Sequence, residues 1–353
     1  MCVTPDGTSL GAAGDEAVLI DTDTGTVLRE FTAYFENVAC FSNNEIVALS
    51  KNPQDDGVGG KSVWITREKQ VPGGINGDVL IGGISDTQFV TIAYDYESFD
   101  SPKTQFFPPI LHIYETTDRT KIIKSIVLSP SLFPAYADLS NRELGVALLG
   151  LLNERELLVA VSGKHRNSQT FVVDLEQGTV KPDDRFRTSL SNYSISQAVL
   201  NRNKQVLAFV SYQGKQPVIR IAKQNSAENP TIVELTTDRL DDFHYSDLKF
   251  ALNDTGTLLA VNIPLTGQQT ITVFDLNTNQ RLWQKQINDT LYFAHFFRDD
   301  SIVFMTSKRT AMRLNAKDGS QIWQSKFNIS STQDPRFGYT SGKPPKWDTS
   351  GGL

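Results

Sequence analysis

The chain has 353 residues, of which 39% are hydrophobic and 21% are charged, with only two cysteines. This apolar content excludes a chain that is disordered throughout, because such chains lack the apolar surface that would offset the entropy lost on folding. The net charge of -6 argues against a nucleic-acid partner, since binding to phosphates requires an excess of positive charge. We therefore expect a globular protein that does not bind nucleic acid.

No apolar run reaches the ~18 residues of a membrane-spanning helix, so we expect no membrane insertion. The first ten residues lack the basic start and apolar middle of a secretory signal. This favours a cytoplasmic location, unless the N-terminus is truncated. Two cysteines are too few for a disulfide framework.

One sequence unit recurs along the chain. It consists of a short apolar stretch, a polar turn of about five residues and a second apolar stretch, which is typical of two paired strands. In chain order the copies are Cys2–Leu10, Cys40–Ala48, Ile84–Val90, Leu152–Leu158, Val199–Leu207, Ala251–Ala260 and Phe296–Val303.

A third strand follows each copy and ends in a second recurrent turn. Asp or Asn at its first position can accept hydrogen bonds from backbone amides, and Gly or Asn four residues later tolerates the left-handed conformation. The turn is degenerate in the second and fifth copies, and a fourth strand closes every unit. The clear turns are Asp21–Gly25, Glu115–Arg119, Asp174–Gly178, Asp275–Asn279 and Asn315–Gly319.

Units with this order and spacing resemble the blades of WD-repeat and quinoprotein-type β-propellers. Asp21, Asp174 and Asp275 stand where WD repeats end their third strand. Trp283 and Trp323 follow their turns at one common offset, as in quinoprotein repeats, where such a tryptophan caps the blade and packs on its neighbour.

The resemblance implies an all-β protein, a seven-bladed β-propeller of four-stranded antiparallel blades over residues 1–328. Residues 329–353 are rich in Ser, Thr, Gly and Pro, and we expect a flexible tail there. Since Met1 nearly coincides with the first strand, either the ring closes by packing alone or the N-terminus is truncated.

No motif in the chain predicts catalysis. Gly7–Gly11 matches the G-x-S-x-G pattern, but a strand follows it where a nucleophile elbow requires a helix. Asp55–Ser62 differs from a phosphate-binding loop by Asp55 in place of its first glycine and leads into a strand, so we expect a hairpin loop there. The four histidines lack metal-ligand spacing, so we predict no metal, no cofactor and no enzyme activity. Asn253 begins one of four N-x-S/T sequons, which are too few to establish a secretory route.

In the propeller families that the chain resembles, loops between the second and third strands share a face with the connections between blades. The longest of these loops is Asp95–Pro109, where aromatic side chains beside prolines are typical anchors for a protein partner. The alternative is that these rings fold back on their own blade. The candidate binding residues are Tyr96, Phe99, Phe106 and Phe107 in this loop, and the basic Lys164, His165, Arg166, Lys308 and Arg309 in later loops.

Three functions remain open. The first is a noncatalytic scaffold, which we expect to be monomeric, that presents these loops to a protein partner. The second is a quinoprotein-type propeller that binds a small ligand or acts as an enzyme. The third is a sensor or accessory domain of a longer chain.

Overall fold

The computed structural model describes twenty-eight strands and two short 3₁₀ turns. All of them lie in residues 2–4, 8–13, 17–31, 35–40, 46–50, 61–65, 70–72, 78–83, 88–93, 108–115, 121–141, 143–163, 166–186, 190, 195, 197–201, 203–213, 216–226, 228–233, 235, 248–265, 268–289, 291–297, 300–306 and 310–326, which are the residues that the structure describes.

The strands form seven antiparallel sheets, each made of four strands that are consecutive in the chain. The first three sheets, here called blades 1 to 3, contain β1 (Cys2–Val3), β2 (Ser9–Ala13), β3 (Ala17–Asp21) and β4 (Val27–Phe31); β5 (Phe35–Cys40), β6 (Ile46–Ser50), β7 (Lys61–Ile65) and β8 (Gln70–Pro72); and β9 (Asp78–Gly83), β10 (Gln88–Ala93), β11 (Ile110–Glu115) and β12 (Ile122–Val127).

Blades 4 to 7 follow the same order. They contain β13 (Leu144–Leu151), β14 (Glu156–Gly163), β15 (Arg166–Asp174) and β16 (Val180–Pro182); β17 (Gln197–Leu200), β18 (Val206–Gln213), β19 (Gln216–Lys223) and β20 (Thr231–Val233); β21 (Lys249–Leu252), β22 (Leu258–Leu265), β23 (Gln268–Asp275) and β24 (Gln280–Ile287); and β25 (Leu291–Phe296), β26 (Ser301–Thr306), β27 (Thr310–Asn315) and β28 (Gln321–Lys326).

The blades are not equivalent, and the prediction of seven four-stranded blades is wrong for blade 1. Six sheets begin with a strand of four to eight residues. Blade 1 begins with only Cys2–Val3, which forms two residue pairs with β2, so this blade is in effect a three-stranded sheet with a short added strip. The fourth strands of blades 2, 4 and 5 have only three residues.

The sheets are arranged around a centre lined by their first strands. Contacts join β1 to β5, β5 to β9, β13 to β17, β17 to β21 and β21 to β25. Because each sheet has the order one to four, its fourth strand is the outer edge. Antiparallel pairing puts the connections between strands two and three, and those between blades, at one end of the ring, here called the loop face. The turns after the first and third strands lie at the other end, the turn face.

The core lies between blades. Leu158 of blade 4 belongs to one apolar cluster with Leu207 of blade 5, and Val206 of blade 5 to another with Leu259 of blade 6. This arrangement explains why the middle strands are apolar on both faces: each blade packs against two neighbours.

Asx chemistry builds the predicted turns after the third strand. The Asp21 Oδ1 atom accepts hydrogen bonds from the amides of Asp23 and Thr24 at 3.1 and 3.0 Å. Gly25 then adopts φ of +72°, and Asn279 of the equivalent turn in blade 6 adopts +55°. These observations confirm the turn prediction for blades 1, 4, 6 and 7. The turn Glu115–Arg119 extends beyond the described residues.

The connection between blades 3 and 4 contains two 3₁₀ turns, Pro130–Leu132 and Pro134–Tyr136, which the all-β prediction did not include. Phe133 and Tyr136 are fully buried there, and the Tyr136 hydroxyl donates to the carbonyl oxygen of Val161 at 2.9 Å. The connection thus contributes to the core. The predicted tail, 329–353, lies outside the described residues, as does Gly7.

Candidate interaction surface

The predicted binding loop, Asp95–Pro109, connects two described strands of blade 3. β10 ends at Ala93 and β11 begins at Ile110, and these two residues are paired across the sheet. The intervening segment therefore connects strands two and three of blade 3 at the loop face. Its aromatic residues Tyr96, Phe99, Phe106 and Phe107 lie outside the described residues.

Most of the predicted basic residues also lie outside the described residues. β14 ends at Gly163 and β15 begins at Arg166, while β26 ends at Thr306 and β27 begins at Thr310. Lys164, His165, Lys308 and Arg309 fall in these two gaps, outside the described residues, and Arg166 is described only as the start of a strand. Whether these side chains gather into one surface therefore stays a prediction.

A repeated contact joins the outer edge of one blade to the turn face of the next. The indole Nε1 of Trp283 donates to the carbonyl oxygen of Ala316 at 2.7 Å, and that of Trp323 donates to Thr22 at 2.9 Å. Both acceptors directly follow the first residue of their turn. The two tryptophans therefore occupy equivalent positions, as predicted, and Trp323 closes the ring by joining blade 7 to blade 1.

The two tryptophans differ in burial. Trp323 is 9% exposed, which confirms the prediction, whereas Trp283 is only half-buried. Each ring covers the glycine of the facing turn. A Cβ atom on Gly25 would lie 2.7 Å from Trp323, and one on Gly319 would lie 3.0 Å from Trp283. These turns thus need glycine both for their positive φ and for the space that the indole takes.

A lysine takes the same position in blade 3. Lys124 pairs with the third strand as the tryptophans do, contacts the Gly178 turn of blade 4, and donates from Nζ to the carbonyl oxygen of Glu176. The sequence analysis did not identify this contact. Its chemistry differs from that of tryptophan, and only the register of the strands reveals the equivalence.

A β-bulge in the fourth strand orients these residues. Leu28, Ile123, Leu282 and Ile322 have no partner on the third strand, and the next residue of each strand is paired again. A bulge re-aims neighbouring side chains and interrupts the free edge of a sheet. Ile123, Leu282 and Ile322 are 40 to 49% exposed at the rim of the ring.

Buried asparagines form a second connection on the turn face. Asn253 is fully buried, and its Oδ1 atom accepts hydrogen bonds from the amides of Thr257 and Leu258. Its Nδ2 atom donates to Asp300 of blade 7 at 2.9 Å. In blade 5, Asn201 likewise caps its own turn and donates to a carbonyl oxygen of blade 6.

The sequence analysis treated Asn253 only as part of a sequon. A signal for its structural role was present, because Leu200-Asn201 and Leu252-Asn253 occupy the same turn position in consecutive units. The side chain is inaccessible in the folded protein, so the folded chain cannot be modified at this sequon.

A buried arginine strengthens the closure of the ring. The Arg313 guanidinium donates to the Ser301 hydroxyl at 2.7 Å and to the Thr22 carbonyl oxygen at 2.6 Å, and lies 4.6 Å from the centre of the Phe297 ring. These contacts satisfy a cation that is only 8% exposed. Thr22 therefore accepts two hydrogen bonds from blade 7.

The electrostatics of the turn face are local. Lys181 Nζ lies 2.7 Å from Glu156 Oε1 in blade 4, and this hydrogen bond holds the pKa of Glu156 below its usual value against the opposing effect of burial. In the connection that follows, Arg185 pairs with the buried carboxylate of Asp183 at 2.8 Å. The first pair joins the second strand of blade 4 to the fourth.

Within the described ranges, His, Cys, Asp and Glu residues form no group of three that could hold a metal ion. The same part of the chain contains no helix that is long and apolar enough to cross a membrane.

Solved structures with this fold cover nearly the whole chain. The complex of KlAtg21 with the coiled coil of AgAtg16 matches 92% of this chain and 98% of that chain, with a TM-score of 0.56 and 14% identity. The match to the Cps50 (Swd1) β-propeller domain of Myceliophteria thermophila covers 90% of this chain and 93% of that chain, with a TM-score of 0.51 and 11% identity. The match to hydrazine synthase of Kuenenia stuttgartiensis covers 93% of this chain and 95% of that chain, with a TM-score of 0.53 and 12% identity. No protein-family model and no curated protein matches the sequence.

The fold is that of a WD-repeat-like β-propeller. At these identities the likeness concerns the fold alone. One of the similar structures is named as an enzyme and another is a complex with a coiled coil, so function must be argued from the chain's own residues.

Proposed function

We propose that the protein is a noncatalytic interaction scaffold that binds a protein partner on its loop face, chiefly through Asp95–Pro109. The observation that carries the proposal is the position of the two strands that this segment connects. Its ends leave two paired strands of six residues each, β10 and β11, at Ala93 and Ile110. Val90, Ile92 and Leu111 of that hairpin are buried in the core. Loops on such frames are where binding residues are concentrated.

The length of the segment supports the same function. A hairpin needs only two to five residues to reverse direction, so most of this segment is not required by the blade. Its two Phe residues beside two prolines have the composition of an interface anchor. The similar KlAtg21 propeller was solved together with a protein segment, and a helical segment would be a suitable first candidate for the partner here.

The basic residues of the other loops would have a separate role. Lys164, Arg166, Lys308 and Arg309 lie at or beside the ends of the 2–3 connections in blades 4 and 7. Exposed cations at the rim of an interface mainly accelerate association, whereas buried aromatic anchors slow dissociation.

The test is a comparison of two variants as bait. In the first, residues 97–107 are deleted. In the second, the matched control, Gln177 and Lys317 on the turn face are replaced by Ala. Affinity purification with quantitative mass spectrometry should show a partner that the wild type and the control retain and the deletion variant loses. Circular dichroism must show that both variants remain folded.

Kinetics with that partner would refine the assignment. Phe106→Ala and Phe107→Ala should raise the dissociation rate about 10-fold or more, whereas Lys308→Ala and Arg309→Ala should lower the association rate and its salt dependence. A folded deletion variant that binds every partner as the wild type does contradicts the proposal. Visible absorbance or a stoichiometric metal in the purified protein would instead favour a quinoprotein-type enzyme.

A further inference from the structure

A disulfide-bonded cysteine lies on the first strand of blade 2, which contacts the first strand of blade 1. Cys40, the last residue of β5, is half-buried and disulfide-bonded. The chain contains only one other cysteine, Cys2, which begins β1. β1 and β5 contact each other at the centre of the ring.

We infer that Cys2 is the partner of Cys40, that this disulfide is a covalent clasp holding β1 in place, and that the protein folds in an oxidising compartment. This inference departs from the cytoplasmic location expected from the sequence. Disulfides persist in secreted and periplasmic proteins and are rare where cellular thiols keep cysteines reduced.

The position of the clasp explains what it does. β1 is the shortest strand of the ring and pairs with β2 only at Cys2–Gly11 and Val3–Leu10. β1 and β5 belong to different sheets, so no backbone ladder joins them. A two-residue strand has too few ladder bonds to offset the entropy of ordering it, whereas a covalent bond to the neighbouring blade keeps it close.

Blade 1 is then fixed on both sides by different means. On one side Trp323 and Arg313 of blade 7 bind the carbonyl oxygen of Thr22. On the other side the disulfide joins blade 1 to blade 2. Blade 1, whose first strand forms only two residue pairs, is therefore the blade that the single possible disulfide of the chain anchors.

Formation of the bond balances as a thiol–disulfide exchange. The two cysteine thiols lose two protons and two electrons as the sulfur–sulfur bond forms. A disulfide of an oxidoreductase accepts those electrons and protons and leaves as a dithiol. A dithiol reductant reverses the reaction, which makes the clasp testable on the purified wild-type protein.

The first test identifies the bond. Protein exported to an oxidising compartment is denatured and alkylated without reductant, and then digested for mass spectrometry. The expected result is a peptide pair that links Cys2 to Cys40 in a monomer, with no alkylated cysteine. Two alkylated cysteines, or a dimer linked through Cys40, would overturn the inference.

The second test measures how much the disulfide raises the thermal midpoint of unfolding. Dithiothreitol should lower the thermal midpoint of the wild type by about 5 °C, from the loop that the bond closes and the size of the chain. Cys40→Ser and Cys2→Ser should start at the lower midpoint and not respond to the reductant, and the double variant should match either single variant. Hydrogen exchange should show the Thr4 amide, which donates to the Ser9 carbonyl oxygen of β2, losing protection on reduction.

Two results would contradict the clasp even if the bond exists. One is a wild-type midpoint that dithiothreitol leaves unchanged after complete reduction has been verified by mass. The other is a midpoint that falls equally in wild type and Cys40→Ser, which would mean that the reductant acts elsewhere. Since the wild type serves in both tests, a variant that fails to fold does not prevent a decision.

Discussion

Replacing Trp323 by alanine should destabilise the protein by about 3 to 5 kcal/mol, the range observed when a large aromatic site is emptied in a core. The side chain is 9% exposed, so nearly all of its area is removed from water. An aromatic residue buries roughly 150 to 250 Å². At about 25 cal/mol per Å², that area corresponds to roughly 4 to 6 kcal/mol, an upper value because the cavity partly collapses.

The hydrogen bond should contribute only a small share. After Trp323→Phe, the carbonyl oxygen of Thr22 still accepts from Arg313, so no buried acceptor is left without a donor. We expect this variant to lose about 1 to 2 kcal/mol, for one hydrogen bond and the smaller ring. Trp283→Ala, the matched control in the adjacent blade, should lose less than Trp323→Ala because Trp283 is only half-buried.

The assay is urea unfolding, followed by tryptophan fluorescence and circular dichroism. Gly25→Ala is introduced both into the wild type and into Trp323→Ala. The added Cβ would lie 2.7 Å from the Trp323 ring, so Gly25→Ala should destabilise the wild type more than it destabilises Trp323→Ala. In the variant the clash with the indole is absent, and there remain the left-handed backbone strain of about 1 to 2 kcal/mol and the contact of the added Cβ with Ser325 Oγ at 2.8 Å. An unchanged midpoint for Trp323→Ala, or equal effects of Gly25→Ala in the two backgrounds, would refute this account of ring closure.

Three other perturbations address the remaining contacts. Asn253→Ala should destabilise by about 2 to 4 kcal/mol in urea unfolding, because it leaves two backbone amides without acceptors, while Thr255→Ala removes the same sequon and should have a much smaller effect. Lys181→Met should lower the free energy of unfolding by about 1 kcal/mol or less at pH 7. Because the folded protein holds the pKa of Glu156 below 4.5, this stabilisation is complete above pH 4.5 and is lost as the pH falls below that value. A difference between wild type and variant that is independent of pH would contradict the ion pair. Tyr136→Phe should cost about 1 to 2 kcal/mol in thermal unfolding, and no loss would show that water replaces its hydroxyl.

The turns after the third strand could be predicted because their geometry is determined locally. Asp21 and Gly25 lie four residues apart, and the side-chain acceptor and the positive φ both operate within that segment. The tryptophan contacts could be predicted for the same reason, since their offset from such a turn is visible in the chain. Local chemistry therefore supplied the repeat and most of its strands.

Contacts between blades were harder to predict. Lys124 performs part of the role of a tryptophan with a different side chain, and nothing in its neighbours marks it. Tyr136 lies in a connection that has no strand pattern, and its hydroxyl donates to the carbonyl oxygen of Val161, which is 25 residues further along the chain. The shortness of β1 was also not evident, because the apolar pattern around Cys2 resembles that of the other copies. The predicted loop residues remain a prediction for the partner-binding experiment.

The way in which the ring closes has a consequence for engineering. Every sheet is built from one continuous stretch of chain, and blades 7 and 1 are joined by side chains and a turn rather than by a shared strand. The order of blades around the axis therefore does not depend on which connection between blades contains the chain termini. Circular permutants with new termini in the connections between blades should assemble the same ring, provided that a linker joins the original ends. Such permutants would allow a fusion partner to be attached beside any chosen blade.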